Sequence, residues 1–166
     1  YSSDYNLLLD NFSLIRKYHE LNPEDAEATK VYTAALKQSL PDLEAKKNWG
    51  AVRTVYKEME TLGEKVDQKV YARVDFENKA QQANESSVPS ILEASRFARE
   101  KKLFDEGFSF IKRYYFKNAN QPALKKEYFS YADEYIQSAY NALENGKYDE
   151  AITICTKISD NFKGYP

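Results

Sequence analysis

The 166-residue chain has few of the residue types on which most catalytic and metal sites depend. It has one cysteine and one histidine, so we expect neither an internal disulfide nor a metal site built from His and Cys. Its five glycines are isolated, which excludes a glycine-rich phosphate loop. We expect a structural or surface role for His19, near a helix end, and a small core position for Cys155, within an apolar run.

Long apolar runs and a strong excess of charge are also missing. No stretch approaches the roughly 18–20 apolar residues that span a bilayer, and no signal-peptide core is present. The net charge of −2 and the pI near 5.6 exclude a globally basic nucleic-acid binder. Carboxylates such as Asp149 and Glu150 fall in the first turns of predicted helices, where they complement the helix dipole. We therefore expect no enzyme, no metal and no cofactor.

What the chain does contain is helical periodicity along almost its whole length. Apolar residues recur at offsets of three and four, and Pro41 either kinks the second helix or opens a short new one. Alternating apolar residues also leave a strand open at 69–77. The polar stretch 81–88 is the best loop and at most a weak domain boundary, so we expect one all-helical domain over 1–166. The predicted helices are 3–20, a second ending near 39, 49–62, 64–83, and pairs within 90–118 and 135–158.

The segment Tyr135–Ile158 has the pattern of two packed helices joined by a tight turn at 145–147. Small side chains at Ala139 and Ala151 allow the two backbones to approach closely, with Tyr135 and Tyr148 filling the space beside them. The turn, aromatic residue and apolar helix recur at Phe104, with Gly107 in the place of Ala151 and Ser95 in the place of Ala139. The same pattern recurs at Trp49, with Val52 in the place of Ala151.

This pattern resembles the tetratricopeptide repeat, although the spacings of 55 and 44 residues exceed the usual 34. Ser138, Ala142 and Ile158 also depart from the family's preferences. The resemblance implies an all-α fold of antiparallel helical hairpins stacked as a TPR-like α-solenoid, a right-handed superhelix. It also implies a peptide-binding groove lined by the first helix of each pair.

On this alignment the groove-facing candidates are Leu92, Arg96, Arg99, Ile136, Tyr140 and Leu143. The family's clamp for a terminal carboxylate is not supported, because apolar and acidic residues stand where the second pair would need it. We expect a non-catalytic scaffold that docks a peptide segment or a partner subunit on a Tyr-rich groove. The expected contact residues are Arg96, Arg99, Tyr135, Ile136 and Tyr140.

Two compositional features keep other functions open. Residues 96–126 carry nine Lys and Arg against three Asp and Glu, a net +6 in an acidic chain. Residues 103–148 hold 12 of the 24 aromatics, more than one helix face can bury. The first alternative is an anion-binding module that uses the basic 96–126 section for an acidic peptide, an anionic lipid or a nucleic-acid phosphate. The second is a structural spacer; a nucleic-acid partner is disfavoured by the overall acidity.

The chain begins with Tyr1 and not with Met, so we expect part of a longer or processed protein. This beginning and the single cysteine favour a processed cell-envelope, periplasmic or secreted region. Compartment and oligomeric state stay open at this stage.

Overall fold

The computed structural model describes residues 12–83 and 87–163, and all the regular structure in these two ranges is helical. The prediction of an all-α protein is confirmed. The eight helices of the described residues are α1 (Phe12–Leu21), α2 (Ala26–Ala45), α3 (Trp49–Thr61), α4 (Gln68–Gln82), α5 (Val88–Glu100), α6 (Phe104–Lys117), α7 (Pro122–Glu144) and α8 (Tyr148–Asn161). Residues 3–11 of the first predicted helix lie outside the described ranges.

The strand left open at 69–77 is wrong, because this segment lies inside α4. Val70 and Val74 are one helical turn apart, and both pack on the cluster formed by Trp49 and Val52. Four-residue spacing places both valines on one helix face. The alternation of apolar residues is therefore a by-product of a helix that also buries Phe76.

The chain divides into two compact units, Tyr1–Asn78 and Lys79–Pro166. In the first unit α1 packs on α2 and α2 packs on α3. Their shared core contains the buried side chains of Tyr32, Leu36, Val55 and Met59. Of the two predicted outcomes at Pro41, no new helix begins there, since α2 continues through it to Ala45.

In the second unit α6 packs against α5, and α7 packs against both of them. The last helix, α8, packs against α7. The core of this unit is dominated by aromatic side chains, and Tyr131 is fully buried within it. Phe162, which caps α8, lies against the rings of Phe108 and Tyr128, so the end of α8 is anchored to the same core.

Three helix–helix turns share one backbone geometry. Lys47, Lys102 and Gly146 each adopt a positive φ, between 54° and 72°. At each turn the following amide donates to the carbonyl five residues back, at 2.8–2.9 Å. These are the bonds of the Schellman helix stop, and a new helix begins two residues after each positive-φ residue. The chain thus contains three helical hairpins with equivalent turns: α2–α3, α5–α6 and α7–α8.

The equivalent turns fix which positions correspond between hairpins. Val52, Gly107 and Ala151 each donate a backbone bond to the residue just before their helix, and all three are buried. Ala139 and Ser95 are also buried, as the close-approach prediction requires. Tyr148 does not fill the space beside Ala151, since 65% of it is exposed. That prediction is wrong because Tyr148 leaves α8 on the side away from the core.

Candidate functional site

Gly107 brings α5, α6 and α7 unusually close together. A Cβ at this position would lie 2.2 Å from the Tyr131 hydroxyl and 2.6 Å from Cβ of Ala98. The absence of a side chain is what lets the Tyr131 hydroxyl donate to the Ser95 carbonyl at 2.8 Å. Burial also raises the pKa of Tyr131, so this hydroxyl keeps its proton throughout the neutral range.

Beside this contact, the carboxylate of Glu127 is buried between α5 and α7, with only 4% of the residue exposed. Ser95 Oγ donates to its Oε1 at 3.0 Å, and Arg99 donates to both oxygens at 3.1 and 3.4 Å. Arg96 lies 3.5 Å from Oε2. Burial lowers the pKa of Arg99, but its bonds to Glu127 outweigh that effect and leave the pKa raised. A buried carboxylate with this many partners is a compensated charge.

This network holds α5 and α7 together. Its two hydroxyl groups belong to Ser95 and Tyr131, and both residues are fully buried. Arg99 contacts Glu134 of α7 as well. Both acidic partners of Arg99 therefore lie on α7, and the more exposed Arg96 contacts one of them, Glu127.

The +6 charge counted along residues 96–126 does not converge on one surface. Its two arginines on α5 face Glu127 and Glu134, which lie outside the counted range. Lys112 donates to the Asn161 side chain and lies over the ring of Phe108. The remaining cations are spread over the α5–α6 turn, α6 and the start of α7, and several lie over aromatic rings.

A second polar cluster joins α6, α7 and α8 at the edge of a cleft of about 370 Å³. The Tyr135 hydroxyl donates to Asp105 Oδ1 at 2.8 Å, and Lys157 pairs with the same oxygen. The Lys157 ammonium also lies 4.7 Å from the centre of the Tyr135 ring. Burial raises the pKa of Asp105, but the bonds from Lys157 and Tyr135 outweigh it and hold the pKa below its usual value. The cluster fastens α8 to α6.

The predicted contact residues are not brought together. Tyr135 is 5% exposed and belongs to the core, so it is not a surface contact. Arg96 and Arg99 face α7 through Glu127. Ile136 follows Glu127 by nine residues, about two and a half helical turns, so it leaves α7 on the opposite side. Ile136 is half-buried there, and Tyr140 is 60% exposed.

The equivalence of the hairpins explains this separation. In α5–α6, the side of Arg96, Arg99 and Phe108 is the one on which α7 lies. Because the two turns are 44 residues apart, the same positions of the last hairpin are Tyr140, Leu143 and Ile152. These three are 60%, 45% and 64% exposed.

We call this surface of the last hairpin the α7–α8 face. It consists of three residues of α7 and three of α8, each 44 residues after a position of α5–α6; among those positions, Arg96, Arg99 and Phe108 contact α7. No described helix lies on it. Its members are Ile136, Tyr140, Leu143, Tyr148, Ile152 and Cys155.

In the first unit, α4 contacts two of the equivalent positions. Arg53 and Tyr56 of α3 are equivalent to Phe108 and Ile111 of α6. Arg53 pairs with Asp75 of α4, and the rings of Tyr56 and Tyr71 lie edge to face at 6.2 Å. In both earlier hairpins, then, the next helix contacts positions equivalent to residues of the α7–α8 face.

Cys155 is exposed, so the prediction of a core position is wrong. The apolar run around it covers two sides of α8. Ala151 lies on the side packed on α7, whereas Ile152 and Cys155 lie on the open side. Two apolar stripes on one helix were the sequence signal for this face. His19 is half-buried, with its ring 5.2 Å from that of Tyr32.

Over residues 12–83 and 87–163, no group of three His, Cys, Asp or Glu side chains could hold a metal ion. None of the described helices is long and apolar enough to cross a membrane. No protein-family model matches the sequence, and comparison with curated proteins and with solved structures gives no match.

Proposed function

We propose that this chain is a non-catalytic, TPR-like helical scaffold that binds a partner protein through the α7–α8 face. One observation carries the proposal. On the equivalent side of α5–α6, Phe108 is buried against α7 and Arg99 pairs with it, whereas here the side is exposed and apolar along two adjacent helices. Exposed, contiguous apolar surface of this kind marks interaction sites, and tyrosine supplies much of the contact area at such sites.

The TPR-like part of the proposal is supported by how the second unit packs. The helix α7 contacts both helices of the preceding hairpin, α5–α6. Hairpins that stack in this way extend a scaffold by repetition, each one contacting its neighbours. The three equivalent turns support repetition of the hairpin itself along the chain.

The two alternatives have less support. An anion-binding surface would need several cationic side chains exposed side by side, but Arg99 forms ion pairs with Glu127 and Glu134. A structural spacer would give no reason for Tyr148 and Ile152 to be about two-thirds exposed. Steep salt dependence of partner capture would favour the anion-binding alternative, since phosphate contacts weaken strongly with salt.

Site-specific photo-cross-linking in the native cell tests the proposed function. A benzophenone amino acid is placed at Tyr148 and, as a matched control, at Phe116, an aromatic residue of similar exposure (65% and 63%) on α6. We expect a discrete protein adduct from position 148 and none from position 116. No adduct at 148, or the same adduct at both positions, would contradict binding through this face.

A further inference from the structure

The α7–α8 face is apolar at its centre and acidic along its rim. Residues 133–155, which include the whole face, carry five Asp and Glu against a single Lys, a net −4. Glu144 follows Tyr140 by four residues, and Asp149 precedes Ile152 by three. Residues at these spacings are neighbours on a helix surface, and both carboxylates are on exposed residues. A molecule that binds the face therefore meets negative charge at its edge.

The cations near this rim leave its negative charge in place. Lys147, the single lysine of the segment, already pairs with Glu150 at 3.1 Å. Arg99 of α5 pairs with Glu134, which precedes Ile136 by two residues and so lies on the other side of α7 from the face. The charge that an occupant meets is consequently negative.

The α5–α6 hairpin shows how a helix covers a surface of this kind. The Tyr131 ring of α7 lies against Phe108 of α6, with 6.0 Å between the ring centres. On the same helix, Glu127 pairs with Arg96 and Arg99 of α5. The covering helix thus meets apolar side chains with its own apolar side chains, and cations with anions. On the last hairpin the rim charge has the opposite sign, so the same complementarity requires a cationic helix.

We propose that the occupant of the α7–α8 face is a basic amphipathic helix of a partner protein, apolar on one side and flanked by Lys or Arg. The inference rests on the proposed function and names the chemistry of its partner. Opposite charges around an apolar contact favour encounter and fix its orientation. Helices that dock in this way contact their partner through residues at intervals of three and four.

The dimensions of the face set the length of the docked helix. Ile136 and Leu143 are seven residues apart on α7, about 10 Å along the helix axis. Two to three turns of a partner helix therefore cover the face. An anionic membrane surface is a poorer occupant, because such surfaces attract basic segments and not acidic ones.

Two labelled peptides of about 14 residues, the length of roughly four helical turns, test the inference by fluorescence anisotropy with the full chain. Both carry leucine at the same helical intervals of three and four; the remaining positions are lysine in one and glutamate in the other. We expect saturable binding of the lysine peptide. The glutamate peptide should bind at least about tenfold more weakly, because its charges repel those of the rim. Equal affinities, tighter binding of the glutamate peptide or no saturable binding of the lysine peptide would overturn the inference.

Variants of the chain locate the contact. Ile152→Ala should weaken binding of the lysine peptide about tenfold, as truncation of an interface anchor does. Glu144→Lys should weaken it about two- to fivefold. The matched control is Glu100→Lys, at the equivalent exposed position 44 residues earlier on α5, which should leave binding unchanged. Circular dichroism checks that each variant remains helical. Binding that is unaffected by Ile152→Ala would place the peptide elsewhere and overturn the inference.

Other occupants give different results. Sedimentation velocity of the chain alone detects a second copy, and flotation with phosphatidylcholine vesicles that contain phosphatidylserine detects a membrane. We expect neither self-association nor flotation that depends on Ile152. Either one, abolished by Ile152→Ala, would show that another occupant uses the face and would overturn the basic helix.

Failure of this inference is distinguishable from failure of the proposed function. Mass spectrometry identifies the partner segment cross-linked to position 148, and we expect a segment rich in Lys or Arg with helical spacing of its apolar residues. An acidic segment would uphold the scaffold function and reject the basic helix. Absence of any adduct would count against the proposed function itself.

Discussion

The α5–α6 and α7–α8 hairpins have the same turn and the same close approach, but opposite chemistry on their equivalent sides. In α5–α6 that side carries Arg96 and Arg99 and is covered by α7. In α7–α8 it carries Tyr140 and Leu143 and is exposed. The arginines thus pair with a buried glutamate where a neighbouring helix supplies it, and apolar side chains are exposed where no described helix lies. The role of a position depends on whether another helix covers it.

The largest expected effect compares two equivalent residues, Phe108 and Ile152. Phe108→Ala should lower the free energy of unfolding by about 3–5 kcal/mol, because it removes a buried ring packed on three tyrosines. Ile152→Ala should change it by less than about 0.5 kcal/mol, as is usual for an exposed side chain. Urea denaturation monitored by circular dichroism measures both. Equal losses of unfolding free energy in the two variants would mean that Phe108 and Ile152 are equally buried.

The next effect concerns the close approach at Gly107. Gly107→Ala should lower the free energy of unfolding by about 1–3 kcal/mol through overpacking, because the new Cβ would meet the Tyr131 hydroxyl and Ala98. Gly50→Ala is the matched control, since Gly50 lies in α3 with nothing within 4 Å of an added Cβ. That change should stabilise the chain by up to about 1 kcal/mol, the helix preference of alanine over glycine. If Gly107→Ala were stabilising too, the helices would not be in contact there.

A smaller effect separates the turns from one another. Lys102 holds a left-handed conformation with φ 58°, whereas Gly146 holds the equivalent one without strain. Lys102→Gly should raise the free energy of unfolding by about 0.5–1 kcal/mol, and Gly146→Ala should lower it by a similar amount. Thermal unfolding of both variants measures the pair. Opposite signs support equivalent turns; a loss in Lys102→Gly would contradict them.

The smallest effect is a pH dependence at the cluster that fastens α8. The folded-state pKa of Asp105 is held below its unfolded value, so its contribution to stability is present above about pH 4, near the ordinary pKa of aspartate, and is lost as pH falls through the folded pKa. We expect Asp105→Asn to flatten the acid side of the stability profile and to leave the slope above pH 5 unchanged. An identical acid limb in the variant would show that Lys157 and Tyr135 do not bind the carboxylate in solution.

The hairpins could be predicted from sequence because their signals are local. Small residues at Ala139 and Ala151, an aromatic residue after each turn and helical periodicity all act within a few turns of helix. The surface could not be predicted in the same way. Arg99 is committed to Glu127 and Glu134, which are 28 and 35 residues away, so a charge count along the chain assigned the arginines to open surface.

The predictions of which tyrosines are buried, and of a buried Cys155, were wrong for a related reason. Tyr135 and Tyr140 are one helical turn plus one residue apart, and only contacts with α6 and α8 decide that the first is core and the second is surface. Cys155 lies in an apolar run that serves two sides of α8. Periodicity identifies an apolar side of a helix, but it does not say whether a neighbouring helix covers that side.

Alkylation of Cys155 tests the central claim most directly, because this residue is the only thiol of the chain and lies on the α7–α8 face. In dilute protein we expect alkylation nearly as fast as in the urea-unfolded chain, because the thiol is exposed. The control is Ile111→Cys in a Cys155→Ser background, the equivalent position on the covered side, where alkylation should be slow at every concentration. Slow alkylation of Cys155 in dilute, monomeric chain, or a rate equal to that of the control, would contradict the account.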